Sequence, residues 1–521
     1  MTISKKLLAI VLCLLFTVSV LAGCVAPIPD NPALSAVPVA TAAPTATAAP
    51  TPGATPAPAA IPGTPKYVFL FIGDGMSFSQ INAAQFFRGS DETGAIAPSL
   101  LNFTQFPVAG ITSTYNLTSV CPDSASAGTA IACGVKTQTG TLGLTGDGTA
   151  VPSIAALLHD AGKKVGIVTS VTLNNATPAA FYAHADSRGS YDEITRQMAE
   201  SGFEYFGGGA IYTNSEDDRI LKDYSLFEEA GYAIADTKAE IAALNSTSGK
   251  VYAISPAIAK QGAMPFVIDA NEGDLTLADF VGQGIEVLDN DNGFFMMAES
   301  GKIDWASHAN DAASVIEEMF AFEAAIQKAV DFAAAHPGDT LILVTADHET
   351  GGMALGYTAT HYDTHLGLLG NQKLSYSSFK DIVEAMLKDD PALTLGGMMP
   401  VITKYFGLYR EGGDDPALRL SSYEYGLLEG ALAESAKSAS ARTDNEETDR
   451  LYGSYDPLTT TLTRILGNKA GVGWTTYYHT ALPVPVYAYG AGAERFSGSY
   501  DDTEIFSRLA AACGLEDQPP Q

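Results

Sequence analysis

Apolar residues in this chain gather in short continuous blocks, and each block stops at a turn. Lys66-Tyr67-Val68-Phe69-Leu70-Phe71-Ile72 runs into Gly73-Asp74-Gly75. The same grammar recurs at 293–298, which ends in Glu299, and at 340–346, which ends in Asp347-His348; residues 164–169 form a fourth block. Apolar runs of this length between turn residues read as strands buried on both faces. Helical spacing occupies segments between them, such as 151–161 and 312–335. Strands alternating with helices predict an α/β fold, a three-layer α/β/α sandwich around a largely parallel central sheet.

In open α/β sheets, ligands bind beyond the carboxyl ends of the strands. Three blocks deliver acids there: Asp74, Glu299 and Asp347. One acid at a strand end is an ordinary turn residue or cap. Three of them, one beside a histidine, repel one another and call for metal ions. Asp304 and His308 add a second Asp/His pair, four residues apart and so on one face of a helical turn. Carboxylate oxygen and imidazole nitrogen suit zinc, and two such pairs suggest two metals. Ser124 lies in Pro122-Asp123-Ser124-Ala125-Ser126-Ala127-Gly128-Thr129-Ala130, where a β-rich run ends and an alanine-rich helical pattern begins. A nucleophile fits such a corner, but so does a helix cap, and the local pattern leaves both open.

The chain's first segment changes where this chemistry is expected. Lys5-Lys6 and the apolar run from Leu7 to Leu21 read as an export signal, and Leu21-Ala22-Gly23-Cys24 looks like a lipobox, so 1–24 is expected to be a lipoprotein signal peptide with Cys24 lipidated and membrane-bound. Residues 25–65, almost all Ala, Pro, Thr and Gly, form a linker. Residues 66–515 are expected to form the folded domain, the catalytic one if the chemistry above holds, and 516–521 a tail. The protein is thus expected outside the cytoplasm, lipid-anchored to the outer face of the cell membrane or periplasmic or extracellular. A net charge of −30 excludes a nucleic-acid backbone as the main partner. Of five cysteines, Cys121, Cys133 and Cys513 remain after lipidation of Cys24; the odd number leaves one thiol unpaired within the chain and a Cys121–Cys133 bridge open.

Taken in order, Gly73-Asp74-Gly75-Met76, the Asp123-Ser124-Ala125 corner through Gly134-Val135-Lys136-Thr137, Ala176-Thr177-Pro178-Ala179-Ala180 to Ser187-Arg188, the segment from Glu299 to His308, Thr345-Ala346-Asp347-His348 and His479-Thr480 resemble the alkaline phosphatases. The resemblance covers nearly the whole folded chain. It implies metal-dependent hydrolysis of small phosphomonoesters through a phosphoserine on Ser124, with Arg188 clamping phosphate oxygens through its guanidinium fork. It further implies two Zn2+ and one Mg2+. Asp304, His308 and His479 would hold one zinc; Asp74, Asp347 and His348, with Ser124 during turnover, the other; Asp74, Thr177 and Glu299 the magnesium. Three divalent cations against four ligand carboxylates leave roughly +2, so a strongly acidic protein still presents a cationic site.

Two positions depart from the family pattern. Asn175 stands where relatives commonly place Asp or His near the magnesium, which adds no charge there. Trp305 stands where some relatives place a Lys that reaches phosphate through water, which implies weaker phosphate retention and a more alkaline optimum. His184, His159 and His336 read as packed or helix-terminal residues, His184 within a helical pattern after Thr177. His361 and His365 read as loop residues. Residues 353–474 form an insertion of the kind that makes a crown over the site or a homodimer interface; Phe379, Ile382, Val383, Met386 and Leu387 keep a helical stripe within it. Residues 434–449 read as a mobile exposed stretch, and 211–280 carry no assignable pattern. Alternatives are a phosphodiesterase of the same superfamily or a non-catalytic lipid-anchored phosphate-binding protein; Ser124 lacks the Cys/Ser-x-Pro-x-Arg context of sulfatases.

Overall fold

The computed structural model describes residues 63–93, 96–214 and 219–515. The signal peptide, all but the end of the linker, and the tail lie outside the described residues. Among the described residues fourteen strands are defined: β1 (Tyr67–Gly73), β2 (Val108–Ser113), β3 (Lys164–Thr169), β4 (Tyr205–Gly208), β5 (Tyr232–Ala235), β6 (Lys250–Ile254), β7 (Phe294–Ser300), β8 (Thr340–Thr345), β9 (Glu349–Thr350), β10 (Ala354–Leu355), β11 (Val472–Gly473), β12 (His479–Thr480), β13 (Val484–Gly490) and β14 (Gly498–Asp501). Ten form one sheet, in the order β14-β2-β13-β8-β1-β7-β3-β4-β6-β5. Neighbours are parallel except at β13, which is antiparallel to both β2 and β8.

The unbroken apolar runs have a direct cause: β1 is buried along its whole length. Tyr67, Phe69 and Phe71 point into one hydrophobic core, and Val68, Leu70 and Ile72 into another. The first core is covered by helices that include Leu277–Leu288 and Ala312–Ala335, the second by Ser124–Cys133, Ile154–Asp160 and Thr503–Ala512. The result is a mixed, largely parallel sheet between two helical layers, as predicted. The 211–280 segment, unassigned from sequence, supplies β5 and β6 at one edge of that sheet.

The 353–474 region is largely helical, with Tyr376–Asp389, Leu395–Phe406, Ser422–Ser435, Glu446–Tyr452 and Pro457–Ala470. The expected stripe packs Phe379 and Val383 into the first core. The 434–449 stretch is more ordered than its polarity suggested. Asn445 closes a capping box that starts the Glu446–Tyr452 helix, so local hydrogen bonding supplies order where apolar burial is scarce. Among the described residues no helix is long and apolar enough to cross a membrane, and Cys121, Cys133 and Cys513 are all free thiols.

Strand register positions the site. Ile72 pairs with Glu299 of β7 and with Thr345 of β8, so Asp74 and Asp347, each two residues further on, leave the sheet at the same level. Thr169 of β3 pairs with Glu299 from the other side. Three chain segments far apart in sequence thus bring three carboxylates to one rim, outside the carboxyl ends of parallel strands.

Candidate metal and phosphoryl-transfer site

Ser124 opens its helix. The preceding Asp123 is the N-cap, and its Oδ1 accepts from the Ser126 amide at 3.2 Å, so the cap and the candidate nucleophile are adjacent residues rather than rival readings of one. Ser124 Oγ lies 3.1 Å from His348 Nε2. That same nitrogen is 3.4 Å from Asp74 Oδ1 and 3.3 Å from Asp347 Oδ2. A proton relay requires the carboxylate on the imidazole nitrogen opposite the serine. Here both carboxylates crowd the nitrogen that faces Ser124, while Nδ1 meets the Thr350 hydroxyl, at 3.3 Å. Thr350 donates its proton to Asp304 Oδ1 at 2.5 Å, which leaves its oxygen to accept from Nδ1–H. Nε2 is then a lone pair aimed at carboxylate oxygens, an arrangement that suits a cation.

A second group repeats the logic. His308 Nδ1–H donates to the Tyr477 carbonyl at 2.5 Å, and His479 Nδ1–H donates to the Pro122 carbonyl at 2.6 Å. Carbonyl oxygens only accept, so both rings carry their proton on Nδ1. Their Nε2 atoms lie 3.0 Å apart and face each other, and in the neutral rings each is a lone pair. Asp304 Oδ1 sits 3.3 Å from one and 3.6 Å from the other. Asp304, His308 and His479 form one set with ligand atoms mutually within 4.8 Å, and Asp74, Asp304 and His348 form another. His479 reaches this place through the antiparallel pairing of β12 with β9, which sets it opposite Thr350. Gly75 allows the close approach of Asp74 to the Asp304 helix: its φ is +75°, and a Cβ there would lie 2.8 Å from Asp304 Cα.

The third group consists of oxygens. Thr177 Oγ1 is 3.4 Å from both Asp74 Oδ2 and Asp347 Oδ2. Glu299 Oε2 accepts from Thr169, while Glu299 Oε1 and Asp74 Oδ1 are buried with no hydrogen-bond partner. Orphaned carboxylate oxygens at full burial are costly unless a cation meets them. Burial first, and then neighbouring carboxylates, drive Asp347 up to about 8, and burial takes Glu299 to about 7. Asp74 is raised well above its ordinary range for the same reasons. Burial also holds His348 well below the usual imidazole value and lowers His479. Neutral imidazoles beside proton-hungry carboxylates are the donor set that divalent metals fit.

Arg188 is a partly exposed cation tied to the start of the Ser124 helix. Its Nη1 donates to Asp123 Oδ2 at 3.2 Å, and its Nη2 to Asn175 Oδ1 at 3.2 Å. Asn175, expected beside a magnesium, thus also holds the guanidinium, and it caps the short Ala176–Ala179 helix that carries Thr177. Trp305 is half-buried and packs against the first core, in the wall of a cavity shared with Phe266 and Tyr376. The remaining histidines lie elsewhere. His184 sits beyond a helix that stops at Ala179, so the expected helical setting is corrected, and its Nε2 donates to the Val151 carbonyl at 2.9 Å. His159 ends a helix near Glu204, and His336 caps one against Phe332. Neither His361 nor His365 joins a metal-capable group among the described residues.

Sequence reasoning missed Asp123 as the partner of Arg188, Thr350 as the hydroxyl between Asp304 and His348, and Thr169 on Glu299. Asp123 and Thr350 lie within two residues of recognised positions, so proximity to Ser124 and His348 was the available signal. Thr169 had none before the β3–β7 pairing was known.

A family model for alkaline phosphatase matches residues 65–515. Alkaline phosphatase 4 of Bacillus subtilis (strain 168) is 30% identical over 454 residues, covering 84% of this chain and 86% of the relative. The tissue-nonspecific alkaline phosphatase isozyme of Gallus gallus is 31% identical over 341 residues, 56% of this chain and 65% of the relative. Among solved structures, Thermus thermophilus alkaline phosphatase superposes with a TM-score of 0.71 at 26% identity, covering 88% of this chain and 94% of that one. The cold-active alkaline phosphatase of a psychrophilic Shewanella gives 0.70 at 26% identity, covering 87% and 100%. Sheet order, clustered donors and these likenesses lead to one conclusion: the chain belongs to the alkaline phosphatase family, enzymes that hydrolyse phosphate monoesters in a metal-dependent reaction.

Proposed function

We propose that Ser124 is the nucleophile of this phosphomonoesterase and carries the phosphoryl group as a phosphoserine. The observation that supports it is the place of one serine hydroxyl beside the clustered donors: His348 Nε2 lies 3.1 Å from Oγ, and Asp74 and Asp347 crowd the same nitrogen. Asp304, His308 and His479 would hold one zinc. Asp74, Asp347 and His348 would hold a second, and Asp74, Thr177 and Glu299 a magnesium, which takes oxygen ligands. Bound there, the metals supply Lewis acidity, lowering the pKa of a serine hydroxyl and balancing charge on phosphate and leaving group.

The chain's own groups do the rest. Arg188, braced by Asp123 and Asn175, keeps a second N–H on each terminal nitrogen and offers them to two non-bridging oxygens. That pairing favours a dianionic monoester over a diester. The amides of the Ser124–Cys133 helix N-terminus favour the phosphate that Ser124 would carry. As Ser124 Oγ bonds to phosphorus, the bond to the alcohol oxygen breaks on the opposite side; water then releases inorganic phosphate and restores the serine. Export by residues 1–24 and lipidation at Cys24 would place this activity outside the cytoplasm, against a membrane, on small phosphomonoesters.

The test is turnover of a chromogenic phosphomonoester and the matching diester by purified protein, with and without chelator, beside Ser124→Ala. We expect monoester turnover that chelation and the substitution each abolish. Monoester turnover surviving both would overturn the reading, and turnover of the diester alone would put a phosphodiesterase in its place.

A further inference from the structure

The inserted region holds a second concavity. A cavity of ≈ 300 Å³ opens between the Ser422–Ser435 and Pro457–Ala470 helices, with Tyr357 and Tyr452 also in its lining. Tyr423 and Leu427 line it from one helix at i, i+4 spacing; Arg464 and Ile465 line it from the other. Its size falls at the lower end of small-molecule sites, and apolar walls with few polar groups are their usual make-up. Tyr423 is 75% exposed at the rim, a large ring with little protein against it. None of the metal-ligating or phosphate-facing side chains borders this space.

Its charge is as informative as its shape. Among the described residues Arg464 donates from Nη1 alone, to the Tyr477 hydroxyl at 2.6 Å and the Leu451 carbonyl at 3.3 Å. Among the described residues it forms no ion pair. Glu424, the acid bordering the cavity, is taken by Lys469 at 3.0 Å. In a chain of net charge −30, a guanidinium without a carboxylate has to be kept that way by the fold. Its Nε and Nη2 edge is left for a planar oxyanion. Tyrosine rings on the walls take a flat apolar body, and a ring that stacks on them is held at little conformational cost.

We propose that this cavity is a binding site for an organic anion with a flat apolar body, of which an aryl carboxylate is the simplest form. The carboxylate pairs with Arg464, and the ring lies among Tyr357, Tyr423 and Tyr452. Such a ligand sits close to the metal cluster in connectivity, because the tyrosine that Arg464 grips, Tyr477, lends its carbonyl to His308.

The experiment is a calorimetric titration of 2-naphthoate into the full chain held in chelator, so that the phosphoryl site takes no part. We expect saturable one-to-one binding. Arg464→Gln should weaken it about tenfold or more, the loss typical of a charged hydrogen bond. Tyr423→Ser, at an exposed position where folding is not at stake, should weaken it severalfold while monoester turnover of the metal-loaded enzyme stays unchanged. The neutral 2-naphthalenemethanol should bind more weakly than the naphthoate by a similar factor to Arg464→Gln. Absence of saturable binding overturns the proposal, and so does an affinity that neither substitution moves. Sulfate competing at equal concentration would reduce the site to a surface arginine that attracts any anion.

Discussion

Arg188 illustrates how single side chains divide the work. Its fork is aimed by two partners of different kinds, the Asp123 carboxylate and the neutral Asn175 amide. Lysine would keep the charge but lose the planar pair of donors. Arg188→Lys is therefore expected to lower kcat/KM for a monoester about 10- to 100-fold, chiefly through KM, in steady-state kinetics at saturating metal. Trp305 makes the opposite case, since it packs as an apolar wall beside Phe266 and Tyr376, at the position where the family resemblance implies a Lys in some relatives. Trp305→Lys should tighten product inhibition; an inhibition constant for inorganic phosphate that does not move would remove Trp305 from the account of phosphate release.

Secondary-structure elements set what these side chains meet. The Ser124–Cys133 helix depends on Asp123 at its start, where Oδ1 accepts from Ser126 and also from the Gly140 amide at 3.0 Å. Asp123→Ala removes both bonds and should cost about 1–2 kcal/mol in urea unfolding. Asp123→Asn keeps the acceptor and should recover most of that stability, though not the ion pair with Arg188. The β1 turn is less forgiving. Gly75 has φ +75°, and any Cβ there would stand only 2.8 Å from Asp304 Cα, so alanine would push the Asp74 turn away from the Asp304 helix. Gly75→Ala should therefore lower metal retention in a chelator competition more than it lowers the unfolding free energy of the metal-free protein.

At the scale of the whole molecule, the fold brings together carboxyls that cannot all ionise without cations. In metal-free protein Asp347 is held at about 8 and Glu299 at about 7, both above their unfolded values near 4. The folded chain then binds more protons than the unfolded chain between those limits, so stability falls as pH rises. The contribution is complete below about pH 4 and is lost through pH 7–8. The melting temperature of chelated protein should accordingly drop between pH 5 and 8.5. Metal-loaded protein should show a widening gap above it, since each site filled at a hundred times its dissociation constant adds about 2.7 kcal/mol. A parallel fall in both forms would detach these carboxyls from metal binding. The sequence by itself determined the layered α/β architecture, because strands buried on both faces must be written as unbroken apolar runs, and it placed Asp74, Glu299 and Asp347 at strand ends. Family motifs carried Ser124, Arg188 and the histidines. Only the tertiary structure decided which nitrogen of His348 faces Ser124, that Asn175 and Asp123 brace Arg188, and that Thr169 meets Glu299. Those facts depend on register between distant strands and on which carbonyl lies behind each imidazole, and neither is written in any local stretch of chain.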